Sequence, residues 1–307
     1  MEYVDDQTEE MCLAAVRKSG HTLKWVKNQT EEICLAAVEE NGLALQYVKN
    51  QTEEMCLTAV KRDGMALGFV RRQTEKICFE AVKENAWALR FVENQTEEIC
   101  LAAVIQDGCA LKFVKEQTEE ICLAAVRSRG NSLYIVKDQT SEICLAAVEQ
   151  NGFALQYVID QTEEICLAAV QQDGLAITYV KNNTRDILIA AVQQNRNVLK
   201  FINNQKEEIF SKHTPYVLLA AVRQDGYALQ DVKNQTEEIC LAAVEQNGDA
   251  LRFVENQTEE ICLAAVEQNG LALKYVKTQT RNICIKAAQQ NEDAKECINI
   301  PIIFKKY

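Results

Sequence analysis

Apolar and polar positions follow a pattern along this chain that returns every 22 residues. In the clearest copies two glutamates precede six apolar residues, and a second apolar group follows an Asn-Gly pair. Thirteen copies, repeats 1 to 13, begin at residues 7, 29, 51, 73, 95, 117, 139, 161, 183, 213, 235, 257 and 279. A fixed period of this length is typical of stacked units that bury their apolar faces against their neighbours. The pattern therefore predicts an all-α fold, an α-solenoid of about 13 tandem 22-residue helical hairpins.

The first half of each repeat predicts an α-helix with a defined start. Position 2 is threonine in every repeat, followed in most by acidic residues and an apolar run. A threonine hydroxyl can accept a hydrogen bond from a free amide of the first turn, and glutamates complement the positive end of the helix dipole. In repeat 2 we expect this helix over Glu31–Glu40. Because Ile33 to Val38 is an unbroken apolar run, we expect the helix to be buried all round.

The second half predicts a shorter helix after a turn. Position 14 is glycine in ten repeats, with the exceptions Ala86, Arg196 and Glu292, and a glycine there suits a left-handed helix cap. We expect the second helix of repeat 2 over Leu43–Lys49, with Leu45 and Val48 as steady apolar positions. Position 19 is aromatic in ten repeats, which is typical of core or core-edge residues. The alternative, one continuous helix per repeat, is opposed by the Asn-Gly pair and by the all-round apolar run.

The register of the pattern breaks between repeats 9 and 10. Repeat 10 restarts at Thr214-Pro215, a cap residue followed by proline at the first helical position. The predicted organisation is a partial N-terminal cap at 1–6, nine repeats at 7–204, an insertion at 205–212, four repeats at 213–300 and a C-terminal tail at 301–307. Insertions in solenoids often lie on a binding face, and drift in a growing array is the alternative.

The acidic balance of the chain limits its expected partners. A formal net charge of −12 opposes binding to nucleic acid or to an anionic membrane, since both favour a basic surface. No apolar run is long enough to predict a transmembrane span, and residues 1–6 lack the features of a secretory signal. We expect a cytoplasmic protein that binds neither nucleic acid nor membrane.

The cysteines form a ladder in the sequence. Eleven of the thirteen occupy position 6, where the other two repeats carry Leu188 and Leu218. A site that accepts cysteine or leucine favours a compact apolar side chain, so we expect free thiols in the core. Packed helices lie about 8–10 Å apart, whereas a disulfide needs Cα atoms within about 4.4–6.8 Å. The odd count and the missing signal indicate a reducing compartment.

Motifs of catalysis are missing from the sequence. It contains two histidines, His21 and His213, and no phosphate-binding glycine loop, nucleophile elbow or calcium loop. The glutamates of positions 3 and 4 fit charge complementarity at helix starts, with a weak divalent-ion site as the alternative. We expect no enzyme activity, no catalytic residues, no cofactor and no metal.

Position 15, directly after the glycine, varies most in character. Because it accepts both aspartate and tryptophan, its side chain is expected to reach the surface. Its large members form the candidate partner-binding stripe: His21, Leu43, Met65, Trp87, Phe153, Leu175, Tyr227 and Leu271. Exposed apolar stripes and aromatic anchors mark interaction sites. Nearby variable residues are candidates for polar specificity: Arg90, Lys112, Tyr134 and Arg252. Neutral drift at a half-exposed position is the alternative.

The combination of Thr-Glu-Glu-Ile-Cys-Leu-Ala-Ala-Val, Asn-Gly and Leu-x-Tyr-Val resembles a family of short helical repeats classed as a domain of unknown function. The resemblance covers residues 7–300 and rests on thirteen tandem matches. Such repeats look most like those of giant viruses that infect amoebae and of some amoeba-associated bacteria. The resemblance implies an α-helical repeat protein made in a host cytoplasm or virus factory, and it implies no activity.

These features together favour a non-enzymatic protein–protein interaction scaffold or adaptor, acting on host proteins if the chain is viral. The alternative is a self-assembling structural protein, a homo-oligomer formed through the ends of the array or the C-terminal tail.

Overall fold

The computed structural model describes residues 6–204 and 208–299, which form helices and no strand. Thirteen helical hairpins follow one another, one per repeat, so the predicted helical-repeat solenoid is confirmed. The first helix of every hairpin is an α-helix: Glu9–Lys18, Glu31–Glu40, Glu53–Arg62, Glu75–Glu84, Glu97–Gln106, Glu119–Ser128, Ser141–Gln150, Glu163–Gln172, Arg185–Gln194, Glu208–Gln224, Glu237–Gln246, Glu259–Gln268 and Arg281–Gln290.

The second helix is a 3-10 helix in twelve of the hairpins: Gly20–Trp25, Gly42–Tyr47, Gly64–Phe69, Ala86–Phe91, Gly108–Phe113, Gly130–Ile135, Gly152–Tyr157, Gly174–Tyr179, Gly226–Asp231, Gly248–Phe253, Gly270–Tyr275 and Glu292–Cys297. In repeat 9 it is an α-helix, Val198–Asn204.

The chain divides into two compact units, Met1–Ile159 and Asp160–Tyr307. Within each unit the α-helices of successive repeats pack side by side, and the 3-10 helices form a second layer against them. In the described part of the chain, no helix is long and apolar enough to cross a membrane.

Threonine starts the α-helices, as the sequence predicts. In twelve repeats its hydroxyl accepts a hydrogen bond from the amide three residues later, as Thr30 does from Ile33 at 3.4 Å.

The prediction that the α-helix is buried all round is wrong. Cys34 and Val38 are buried, but Leu35 is only half-buried, because neighbouring helices and the 3-10 layer leave one side of each α-helix facing outward.

The second helix is tighter and shorter than the sequence predicts, Gly42–Tyr47 rather than Leu43–Lys49 in repeat 2. Runs of 3-10 helix beyond three or four residues are uncommon, so both ends need support. Asn41 Oδ1 accepts a hydrogen bond from the Leu43 amide at 3.0 Å. At the other end, Gln29 Nε2 donates to the Tyr47 carbonyl at 3.0 Å, and Gln29 Oε1 accepts from the Lys49 amide at 3.0 Å. Side chains at both ends therefore supply the missing backbone partners.

The three-residue turn of the 3-10 helix sorts its side chains into faces. Gly42, Leu45 and Val48 are buried on one face, which confirms the steady apolar positions. Leu43 and Gln46, at positions 15 and 18, point to a common outer face. In an α-helix, position 15 would neighbour both position 18 and position 19.

Close approach between repeats, and not a left-handed cap, explains the glycine of position 14. Gly20 and Gly42 do not adopt left-handed backbone conformations, so that prediction is wrong. A Cβ atom on Gly42 would collide with the carbonyl oxygen of Ala59 in the next repeat. Ala86 adds the smallest side chain, and Arg196 stands in the irregular repeat 9.

The helix of repeat 10 does not begin at Thr214-Pro215 as predicted. It runs from Glu208 to Gln224 with Pro215 inside it, so Thr214 is no longer at a helix start. Residues 208–212 of the predicted insertion therefore lengthen this helix by more than one turn. Residues 205–207, the tail at 301–307 and nearly all of the predicted cap at 1–6 lie outside the described residues.

Candidate interaction surface

The predicted stripe residues of position 15 lie at the edge of the core, on the layer of 3-10 helices. His21 is exposed and the other seven are half-buried. The first unit carries His21, Leu43, Met65, Trp87 and Phe153, and the second unit carries Leu175, Tyr227 and Leu271. Each side chain therefore reaches the surface while part of it packs on its neighbours.

A second row of rings, at position 19, lies beside this stripe. The ring of Trp87 meets that of Phe113 edge-on at a centroid distance of 5.5 Å. His21 contacts Tyr47 in the same way at 5.9 Å, and Tyr227 contacts Phe253 at 6.0 Å. Each contact joins position 15 of one repeat to position 19 of the next. Within each unit the two rows therefore form one surface, and we call positions 15, 18 and 19 the aromatic face of that unit.

Position 19 lies at the core edge, as the sequence predicts, and its rings remain accessible. Trp25 is 37% exposed and Phe69 39% exposed, while Tyr47 and Phe113 are half-buried. Rings held in place but partly open to solvent provide contact area at low entropic cost to a partner.

Cations at position 18 lie over these rings. The Arg90 guanidinium is 5.7 Å from the Trp87 centroid and 5.2 Å from that of Phe113 in the next repeat. Lys112 Nζ lies 3.7 Å from the Trp87 centroid. In the second unit, Arg252 lies 4.8 Å from the centroid of Tyr227. Such contacts hold a cation over a ring without removing its charge.

Trp87 has the most elaborate surroundings on the aromatic face. Its indole Nε1 donates to Asp107 Oδ2 at 3.2 Å, and Arg129 lies 3.5 Å from the same carboxylate. Burial acts to raise the pKa of Asp107, but hydrogen bonds from the Cys109 amide and from Trp87, together with Arg129, lower it overall. The carboxylate therefore stays ionised near neutral pH and fixes the indole.

The row of long side chains at position 18 is interrupted in repeat 3, one repeat before Trp87. Position 18 is a long side chain in most repeats, but in repeat 3 it is Gly68. A Cβ atom there would lie 3.2 Å from the ring of Phe91. The ring of Phe91 therefore lies against the Gly68 backbone, and Phe69 beside it is 39% exposed.

The position 6 cysteines are buried and free, as predicted. Each Sγ with a glutamine at position 1 lies within hydrogen-bonding range of its Oε1, for example 3.8 Å between Cys34 and Gln29. Burial raises the pKa of ten of these thiols, and nearby Glu93 and Glu75 add to it at Cys78, where the pKa reaches about 11. A thiol protonated at neutral pH is a poor nucleophile and a poor metal ligand.

The residues of positions 3 and 4 offer no built metal site. Within residues 6–204 and 208–299, no group of three or more His, Cys, Asp or Glu side chains is placed to hold a metal ion. Glutamates at position 3 instead accept hydrogen bonds from the threonine of the next repeat, as Glu9 does from Thr30 at 2.9 Å. These glutamates therefore link successive repeats.

Sequence reasoning identified position 15 but missed the role of position 19 and the pairing of both with position 18. The available signal was a basic residue directly before an aromatic one: Lys24-Trp25, Arg90-Phe91, Lys112-Phe113, Arg252-Phe253 and Lys274-Tyr275. The contacts between repeats, such as Arg90 with Phe113 and Lys112 with Trp87, depend on how the 3-10 helices stack, which the sequence pattern did not reveal.

Comparison with known proteins supports the family resemblance over part of the chain. A family described as Domain of unknown function (DUF4116) matches residues 140–183, 162–205 and 216–257. Each matched stretch is about two repeats long, and together they include the irregular repeats 9 and 10. No curated protein and no solved structure matches this chain.

Proposed function

We propose that this chain is a non-enzymatic protein–protein interaction scaffold that binds its partners through the aromatic face. The observation that carries the proposal is the pairing of half-buried rings at positions 15 and 19 across successive repeats, with Arg90 and Lys112 lying over them. Aromatic side chains and arginine are the residues that most often dominate binding energy at protein interfaces.

Variation along the face fits a role in partner choice. Position 19 keeps a ring in ten repeats and supplies a common platform. Position 15 ranges from Asp249 to Trp87 and gives each repeat its own chemistry. Solenoids use such extended surfaces to contact long segments of other proteins.

The compartment that fits this role is the cytoplasm, or the host cytoplasm if the chain is viral. Eleven free thiols of one ladder would be at risk of oxidation in a secretory compartment, whereas a reducing compartment preserves them.

The test compares partner capture by the natural chain and by a triple variant, Trp87→Asp, Phe153→Asp and Tyr227→Asp. Aspartate already occupies position 15 in repeats 11 and 13, so the fold is expected to accept it. Chemical cross-linking in lysate, read by mass spectrometry, should place the partner's cross-links on the aromatic face and lose them in the variant. A control chain carries Ile105→Asp, which alters a side chain 64% exposed outside this face.

Partner cross-links that persist in the triple variant, with unchanged circular dichroism, would contradict the proposal. A particle mass that rises with concentration in the absence of a partner would favour the alternative, a self-assembling structural protein. Light scattering of the purified chain over a hundredfold range of concentration measures this directly.

A further inference from the structure

The aromatic face of the first unit differs in charge from the rest of the chain. The chain has a formal net charge of −12, yet no acidic residue occupies position 15, 18 or 19 in repeats 1 to 7. The charged residues at those positions are Lys24, Arg90 and Lys112. A cationic surface on an acidic protein selects partners of opposite charge.

Arg90 and Lys112 form the centre of this surface, in repeats 4 and 5. Arg90 is held by three rings, those of Trp87, Phe91 and Phe113, at 5.2–5.7 Å, and its Nε donates to the Trp87 carbonyl at 3.3 Å. Both cations are exposed, and among the ion pairs of the described residues none involves either of them. Two cations are thus fixed in place with their charges available to a ligand.

Uncharged surface lies on both sides of this centre. On the N-terminal side, Phe69 is 39% exposed and Met65 is half-buried. On the C-terminal side, Tyr134 is 57% exposed and packs on Tyr157 at a centroid distance of 5.7 Å. The order along the first unit is therefore apolar, cationic, apolar.

We propose that the aromatic face of the first unit binds an extended peptide with an acidic centre and a large apolar side chain at each end. Its carboxylates would pair with Arg90 and Lys112, and its apolar ends would pack on the exposed rings of Phe69 and Tyr134. This inference rests on the proposed function and names the class of partner for it.

The repeat spacing gives the length of the peptide. Packed helices lie about 8–10 Å apart, so the three steps from repeat 3 to repeat 6 span about 24–30 Å. An extended chain rises about 3.4 Å per residue. The two apolar anchors should therefore stand about seven to nine residues apart, with the acidic residues between them.

The charge pattern favours a peptide over single-stranded nucleic acid, which also stacks on aromatic rows. A nucleic acid carries a phosphate at every nucleotide, whereas repeats 2, 3, 6 and 7 offer no cation at positions 15, 18 and 19. The surplus of negative charge elsewhere on the chain repels a polyanion along its whole length.

The test selects ligands from a random dodecapeptide phage library on the immobilised full chain. Peptides that depend on the face are identified by a parallel selection on a chain with Arg90→Gln and Lys112→Gln. Glutamine already occupies position 18 in repeats 2, 7 and 10, so this change is expected to preserve the fold. A control chain carries Lys76→Glu, which lowers the net charge by the same amount as the double glutamine variant. The change also restores the glutamate found at position 4 in most repeats.

The peptides selected by the natural chain but not by the double glutamine variant should be acidic at the centre and apolar at both ends. Fluorescence anisotropy of the best peptide should show binding weakened about tenfold or more by the double glutamine variant and unchanged by Lys76→Glu. Phe69→Ala, which removes the exposed ring at the N-terminal apolar end, should weaken binding less, by a few-fold.

Three outcomes would overturn the inference. The first is that the selected peptides are basic or neutral. The second is that every peptide binds the natural chain and the double glutamine variant equally well. The third is that a 20-nucleotide oligouridine binds more tightly than every peptide. Peptide binding that survives the glutamine variant but is lost with Trp87→Asp would leave the scaffold function standing and remove the acidic partner. Binding that survives both variants would overturn the two proposals together.

Discussion

Repeats 2 and 9 carry similar apolar patterns but differ in the helix that closes the hairpin. In repeat 2 the Gln29 side chain bonds both a carbonyl and an amide at the end of the 3-10 helix. In repeat 9 the shorter Asn183 takes its place, and its Oδ1 is buried without a hydrogen-bond partner within the described residues. The second helix there is the α-helix Val198–Asn204. The comparison indicates that glutamine at position 1 supports the 3-10 conformation without being required for it, since repeat 10 begins with His213 and still closes with the 3-10 helix Gly226–Asp231.

The same comparison revises the interpretation of the cysteine ladder. All eleven repeats with glutamine at position 1 have cysteine at position 6, and the two without it, which begin with Asn183 and His213, have leucine. Cysteine is therefore not only a compact apolar side chain. Its thiol gives the glutamine oxygen a partner inside the stack, and without the glutamine an apolar side chain is the better choice.

The largest effect is expected when a regular repeat is given the residue of the irregular one. Gln95→Asn would leave the Phe113 carbonyl and the Lys115 amide without their present partner. Unsatisfied groups cost about 1–3 kcal/mol each when buried, so we expect a loss of about 2–4 kcal/mol, reduced for groups that reach water. Hydrogen exchange read by mass spectrometry should show opening in repeat 5 before distant repeats.

The reverse change in repeat 9 provides the control. Asn183→Gln combined with Leu188→Cys restores the pair and should slow exchange near Val198–Asn204. Equal exchange in repeat 5 of the natural chain and of Gln95→Asn would contradict the role assigned to the glutamine.

A smaller effect is expected from adding a methyl group where repeats touch. In Gly42→Ala the new Cβ atom meets the Ala59 carbonyl, which must shift, and we expect a loss of about 1–2 kcal/mol as in other overpacked sites. Ala86→Gly in repeat 4 is the matched change in the opposite direction, and it should cost less because the stack there already accommodates alanine. Urea unfolding of both variants measures the difference. A gain in stability for Gly42→Ala together with a loss for Ala86→Gly would show that backbone entropy, and not contact, decides position 14.

The smallest expected effect is a loss of folding stability at alkaline pH. Burial raises the pKa of Cys78 from an ordinary value of 9.0 to about 11. The unfolded thiol therefore ionises first, so the stability it contributes is complete below pH 9 and decreases as pH rises from 9 towards 11. One pKa unit corresponds to about 1.4 kcal/mol, and we expect a loss of about 1 kcal/mol at pH 10.

Cys78→Leu isolates this contribution because both chains share every other titrating group. Melting temperatures of the two chains at pH 8 and pH 10 should fall less for the leucine variant. An identical fall in both would place the alkaline sensitivity elsewhere.

The regular features of the fold could be predicted from the sequence because they arise within one repeat. The threonine caps and the buried cysteines follow from short runs such as Thr30 to Val38. The 3-10 helix could not, since the hydrogen bonds that support its end in repeat 2 come from Gln29, 18 to 20 positions away. The glycine was misinterpreted for a related reason, because the atom it avoids, the Ala59 carbonyl oxygen, belongs to the next repeat.

The candidate site was predictable only in part. Variability alone points to position 15, since Trp87 and Asp249 cannot share a fixed core site. The pairing of Trp87 with Arg90 follows from a turn of three residues, and that of Arg90 with Phe113 follows from stacking. The second contact joins residues 23 positions apart in different repeats, so the pattern of a single repeat does not reveal it.

The junction between repeats has a consequence for how such a chain can evolve. Each repeat presents the same residues to its neighbours, as when Gly42 approaches Ala59 and Gly20 approaches Ala37. A tandem duplication of 22 codons therefore creates a copy whose two junctions already fit. An insertion of eight residues does not, and after repeat 9 it is accompanied by the longer helix Glu208–Gln224 and by Arg196 pairing with Asp225 at 2.8 Å. Selection can thus change copy number in whole steps with little cost to folding, while insertions of other lengths require local rebuilding.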